Sequence, residues 1–122
     1  KSAAYLFEIN LDLLAKQIKQ RISYKEISKF PAVTRDVAFV ISASMEAEKM
    51  LEIVLSQRED LLENVGIFDI YVGKGLDEGT KSVGLRFSYR ALDRTLTDTE
   101  INSIHNKIVH NTVRLTGAKI RT

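Results

Sequence analysis

Between Lys81 and Arg90 the chain alternates without a break, Val83, Leu85, Phe87 and Tyr89 interleaved with Ser82, Gly84, Arg86, Ser88 and Arg90. Successive side chains of a strand point to opposite sides, so this period of two sends the first set into a core and the second onto an open face. Such a strand calls for an apolar layer on one side only. Whatever the rest of the chain builds must supply that single layer.

The flanking segments do so. Arg35 to Ser42 alternates with Val37, Phe39 and Ile41 on one face and reads as a strand. Ser44 is placed to cap a helix whose first turn carries Glu46 and Glu48, acids that suit the helix dipole. Leu51, Val54, Leu55, Leu61 and Leu62 recur at helical spacing and predict its buried face. Val65 to Val72 is rich in β-branched and aromatic residues, a second strand, and the loop from Gly73 to Gly79 turns the chain back. Thr97-Asp98-Thr99-Glu100 has the form of a capping box. Ile101, Ile104, Ile108 and Leu115 form the expected buried stripe of the following helix, Gly117 ends it, and Ala118 to Arg121 is a short last strand.

Strand, helix, strand, strand, helix, strand, with right-handed crossovers, puts both helices on one side of the sheet. The fold class is therefore α+β: a ferredoxin-like βαββαβ sandwich with a four-stranded antiparallel sheet and two helices on one face. No sequence is left to cover the other face.

The 122 residues hold one domain and a short appendage. Residues 1–23 read differently from the rest. Tyr5 to Leu11 alternates partly like a strand, and Asp12 to Ile22 resembles a short helix or linker. Lys1 opens straight into an apolar stretch without a signal pattern and reads as the cut edge of a longer chain. Without cysteine there is no disulfide, thiolate ligand or thiol nucleophile, which permits a reducing cytosol. The longest uncharged run, Val37 to Met45, is far short of the roughly 20 apolar residues a bilayer requires. Net charge is only +2, but its distribution is uneven: −4 between Glu46 and Glu63, and +3 between Lys81 and Arg94. An acidic side and a basic side would suit an oriented anionic partner; scattered surface charge is the plainer reading.

Enzyme readings fail on spacing. Gly73-Lys74-Gly75 with Gly79-Thr80-Lys81-Ser82 lacks the adjacent Gly-Lys and the following helix of a phosphate loop, and Glu78 stands where a dinucleotide motif needs its third glycine. A hairpin connection explains these glycines. His105 and His110 are five apart, so on a helix they diverge instead of sharing a metal, and they read as surface or helix-end histidines. No nucleophile, histidine and acid are grouped for catalysis. Asp69, between Phe68 and Ile70 on the side of Tyr71, is either a strand acid paired with a nearby base or an acceptor on an open sheet face. Tyr71 is either a core residue or a stacking platform for an unpaired base.

Five strings occur in order: Ser28-Lys29-Phe30-Pro31, Arg35-Asp36-Val37-Ala38, Phe68-Asp69-Ile70-Tyr71-Val72-Gly73, Lys81-Ser82, and Arg94 to Glu100. Together, across Tyr24 to Arg121, they resemble the C-terminal anticodon-binding domain of the phenylalanyl-tRNA synthetase β chain. The resemblance makes residues 24–122 the domain and residues 1–23 a stub of the preceding β-chain module. It implies contacts with the anticodon stem-loop of the phenylalanine tRNA from Asp69, Tyr71, Ser82 and Arg121, with small Ala38 near the loop. Alternation alone adds Arg86 and Arg90, which with Arg121 would meet phosphates. Further implied are a cytoplasmic location, the other β-chain domains and the α subunit of an α2β2 parent as partners, and no membrane. This stretch would hold no cofactor and no catalytic site, ATP and magnesium belonging to the parent ligase. A ferredoxin-like module for a protein or small ligand, a small self-sufficient enzyme, and the same domain from a single-chain organellar synthetase are the alternatives. The similarity of residues 1–23 to the β-chain neighbour favours the bacterial type.

Overall fold

In the computed structural model, which describes residues 4–17 and 28–121, the alternating segment is an inner strand of one sheet. The elements run α1 (Leu11–Gln17), β1 (Val33–Ser42), α2 (Ala47–Ser56), β2 (Leu62–Tyr71), β3 (Thr80–Tyr89), α3 (Asp98–Thr116) and β4 (Lys119–Ile120). The strand order is β2-β3-β1-β4 with every pairing antiparallel, the ferredoxin-like arrangement. Val83, Leu85, Phe87 and Tyr89 are fully buried and pack with Phe39 and Ile41 of β1, Met50 and Val54 of α2, and Ile101, Ile108 and Val109 of α3. Both long helices thus cover the same side of the sheet.

The end of α3 closest to its start is fixed by sequence chemistry. The Thr97 hydroxyl accepts from the Glu100 amide at 3.3 Å, and the Glu100 carboxylate accepts from the Thr97 amide at 3.0 Å. That reciprocal box satisfies two otherwise orphaned donors. These bonds, with the Arg94 guanidinium, hold the Glu100 carboxyl below the usual carboxylate range. At the other end Gly117 takes φ +69°, a left-handed conformation that terminates the helix.

Several expectations are corrected. Ser44 does not cap α2; it lies in a turn where its amide and hydroxyl meet the Ser42 hydroxyl, and Glu46 takes the N-cap position without a side-chain cap bond. The α2 pattern ends earlier than its leucines suggest. The polar run Ser56-Gln57-Arg58-Glu59-Asp60 stops the helix, so Leu61 and Leu62 belong to the approach and start of β2, and Leu55 is exposed. On α3, Leu115 is likewise exposed. Steps of four advance slightly more than one turn, and the buried line drifts from Ile108 to Val109, Thr112 and Val113. Thr112 is fully buried because its hydroxyl donates to the Ile108 carbonyl at 2.8 Å and accepts from Gln57 at 3.0 Å.

The expected strand from Tyr5 to Leu11 is absent: residues 4–10 carry no regular structure, and Tyr5, Leu6 and Phe7 are almost wholly exposed. Among the described residues no strand pairs with this segment, so nothing holds it extended. The helix expected from Asp12 to Ile22 is observed as Leu11–Gln17, and its remainder lies outside the described residues. Among the described residues, no helix is long and apolar enough to cross a membrane.

Candidate nucleic-acid interface

Register sets out the uncovered side of the sheet as four transverse rows. Tyr71, Ser82 and Val40 form the first; Asp69, Gly84 and Ala38 the second; Gly66, Arg86 and Asp36 the third; Asn64, Ser88 and Thr34 the fourth. Between Ile67 and Asp69 the β2 register shifts, inserting one extra residue. A bulge of this kind re-aims side chains. Ile67 still packs on the core, while both Phe68 and Asp69 reach the open side. The Phe68 ring lies directly on Gly84: a Cβ there would stand 2.8 Å from its Cζ. Glycine inside a strand marks such a close approach.

The residues expected to form the site divide into three groups. Asp69, Tyr71 and Arg121 come together at one end. Asp69 is exposed, and among the described residues its carboxylate has no hydrogen-bond or ion-pair partner, so the reading of a paired strand acid fails there. The Tyr71 hydroxyl donates to the Lys74 carbonyl at 3.1 Å, and Gly73 is small enough to let it pass. The Arg121 guanidinium carbon lies 5.1 Å from the Tyr71 ring centroid, a cation–π distance. The Arg121 amide donates to the Ala38 carbonyl at 2.8 Å, which fixes the chain after β4 across the sheet. A concavity of about 380 Å³ opens beside it, between Gly75, Asp77, Lys119 and Arg121.

Ser82 shares this end but is only 2% exposed, contrary to its expected place on a bare surface. Its cross-strand neighbours Tyr71 and Val40 flank it, and opposed side chains in a sheet lie close enough to cover a small residue.

Arg86 and Arg90 were expected to stand free for phosphates and are both engaged. Arg86 donates from Nε and Nη2 to the Asp36 carboxylate at 2.8 and 2.6 Å, and its Cζ stands 5.3 Å from the Phe68 centroid. The fork-to-fork pair lowers the Asp36 pKa and raises that of Arg86. Arg90 donates to Glu63 at 3.0 Å and to the Phe30 carbonyl at 2.8 Å, tying the segment before β1 to the end of the sheet. Arg94 pairs with Glu100 at 2.8 Å. The local excess of positive charge between Lys81 and Arg94 is therefore largely neutralised in place.

Sequence reasoning gave Phe68 and Asp36 no role of their own and misread His105. The signal for Phe68 was Gly84, a glycine in the middle of an otherwise unbroken strand. His105 is not a surface histidine: its Nδ1 lies 2.8 Å from the Tyr89 hydroxyl, and its ring packs edge-on to Phe87 and Tyr89 at 5.1 and 5.8 Å. Burial lowers the His105 pKa and raises that of Tyr89. His110 is exposed as expected. Among the described residues, no three His, Cys, Asp or Glu side chains are grouped to hold a metal ion.

A ferredoxin-like sheet carries helices on one face and, on the other, an aromatic, a cation and an acid that has no partner among the described residues. The chain belongs to the ferredoxin-fold anticodon binding domain family, whose pattern it matches over residues 28–121. It is 49% identical over 121 residues to the phenylalanine–tRNA ligase beta subunit of Syntrophus aciditrophicus, and 40% identical over 121 residues to that of Thermotoga maritima. With the same subunit of Clostridium tetani it shares 39% over 117 residues. These matches take in 96–99% of this chain, which spans about 15% of the length of each relative.

Proposed function

We propose that this chain is the tRNA anticodon-binding module of a phenylalanine–tRNA ligase β subunit, and that its open sheet face orients the phenylalanine tRNA through the anticodon stem-loop. The observation that carries the reading is the end of the face where Tyr71, Asp69 and Arg121 converge. A tyrosine ring offers every base a stacking surface, a carboxylate accepts from base N–H groups, and an arginine donates to phosphate or stacks in its turn. Four-stranded sheets with one uncovered face hold splayed single-stranded bases in this way.

Ala38 contributes by being small beside Arg121, and Ser82 becomes accessible only if Tyr71 shifts as a base stacks on it. Adenylation and acyl transfer, with ATP and magnesium, belong to other parts of the ligase, in the cytoplasm, where the remaining β-chain domains and the α subunits are the protein partners. The relatives' shared name supports this reading.

The test is titration of this chain with the phenylalanine anticodon stem-loop and with stem-loops altered in the anticodon. Asp69→Asn exchanges an acceptor oxygen for a donor, so it should lose the preference for the cognate loop while retaining the affinity for altered ones. Equal binding of all loops by the unaltered chain would overturn the reading.

A further inference from the structure

At the opposite end of the open face, away from Tyr71, lies a concavity of about 360 Å³. Thr34, Asn64 and Ser88 form one cross-strand row along it, Gly66 lies beside them, and Phe68 and Arg86 also line it. Ligand sites run from roughly 300 to 1,000 Å³, so this one has room for about one ring system. Nothing approaches within 4 Å of a Cβ built on Gly66, which leaves the space over it open.

Its chemistry is that of a nucleoside site. Arg86 and Phe68 supply adjoining π-surfaces: Asp36 grips two guanidinium nitrogens, and the half-exposed Phe68 ring lies over Gly84. Among the described residues, the side chains of Thr34, Asn64 and Ser88 make no hydrogen bond with the protein. A hydroxyl, an amide and a second hydroxyl in one row offer both donors and acceptors to a base edge or a ribose. From the Ser82 row to the Ser88 row is six residues, about 20 Å of strand. A sheet face of this length holds two or three splayed bases.

We infer that this concavity is a second nucleotide site, taking one unpaired nucleotide of the same RNA whose anticodon engages Tyr71, with Phe68 and Arg86 as its stacking wall and Asn64, Ser88 and Thr34 as its polar contacts. The inference rests on the function proposed above and adds a site to it. It also gives Arg86 a role other than a free phosphate contact: the arginine's flat face, held by Asp36, does the work.

Gly66→Val tests it directly. The residue lies in a strand without positive φ, valine suits a strand, and its side chain would fill the open space. Titration of the full chain would use the phenylalanine anticodon stem-loop and versions made abasic at one loop position at a time. Gly66→Val should weaken binding of the intact stem-loop on the order of tenfold, in the range of one lost stacked base. It should also erase the penalty of one particular abasic position, while leaving the penalty of Tyr71→Ala unchanged. Asn64→Ala with Ser88→Ala, which leaves the Phe68 and Arg86 wall untouched, should erase part of the same penalty. If both variants are folded by circular dichroism and bind every RNA as the unaltered chain does, while Tyr71→Ala binds less, the second site is refuted and the anticodon reading stands. If the unaltered chain binds no stem-loop, both fall together.

Discussion

On the covered side of β3, Val83, Leu85, Phe87 and Tyr89 are all fully buried; on the other, Ser82 and Gly84 are hidden only by neighbouring side chains and Arg86 is exposed. The two sides are built from adjacent residues of one strand, yet their contributions separate. The covered side loses water and gains close packing, so it sets stability. The open side is held by cation–π contacts and ion pairs that stay in contact with solvent, which contribute little to folding. That division frees the open side to be shaped by what it binds.

The largest expected effect lies on the covered side. Leu85→Ala removes a fully buried leucine and should destabilise the chain by about 2–5 kcal/mol in urea denaturation. Arg86→Ala, next to it in sequence and on the other side, should cost no more than about 1 kcal/mol. Similar losses for the two would break the contrast between the sides.

Tyr71→Ala comes next. It should reduce stem-loop affinity by about 1–3 kcal/mol with the denaturation midpoint nearly unchanged, whereas Tyr71→Phe keeps the ring and most of the binding. An equal loss of affinity in both variants would shift the weight from the ring to the hydroxyl and its bond to Lys74.

Gly84→Ala should cost about 1 kcal/mol, because the new Cβ meets a ring that is half exposed and able to swing outward. In a Phe68→Ala background the same substitution should be nearly silent. A cost that persists there would mean that Gly84 serves the backbone and not the Phe68 ring.

The smallest effect is on pH dependence. Burial holds the His105 pKa below its ordinary 6.5, so between the folded and unfolded values the unfolded chain binds the extra proton. The contribution of neutral His105 is fully present above about pH 6.5 and declines as pH falls from there toward the folded value. His105→Gln should flatten the slope of stability against pH in that window, and an unchanged slope would assign the slope to other groups. The Asp36–Arg86 pair acts in a lower window, its contribution fading only as pH falls below the ordinary carboxylate range.

The alternation of β3 and the capping box at Thr97 to Glu100 were legible in the sequence because each depends on residues close in the chain. The placement of both helices on one side of the sheet followed from the element order through the handedness of the crossovers. What was not legible depends on long-range pairing. The partners of Arg86 and Arg90 are Asp36, Glu63 and the Phe30 carbonyl, up to 60 residues away, and no local pattern announces them. The bulge that brings Phe68 onto the open side, and the burial of Ser82 beside Tyr71, likewise arise only once β2 is laid against β3. Leu55 and Leu115 misled for a related reason: apolar spacing says where a stripe starts but not where its packing partner ends.

The central claim is that the RNA lies on the open side of the sheet. It is tested most directly by nuclear magnetic resonance of the isotopically labelled chain titrated with the phenylalanine anticodon stem-loop. Amide shifts should move in the rows that contain Tyr71, Asp69, Gly84, Arg86 and Ser88, and at Arg121, while the exposed surfaces of α2 and α3 stay still. Shifts concentrated on the helices, with these rows unmoved, would contradict the account.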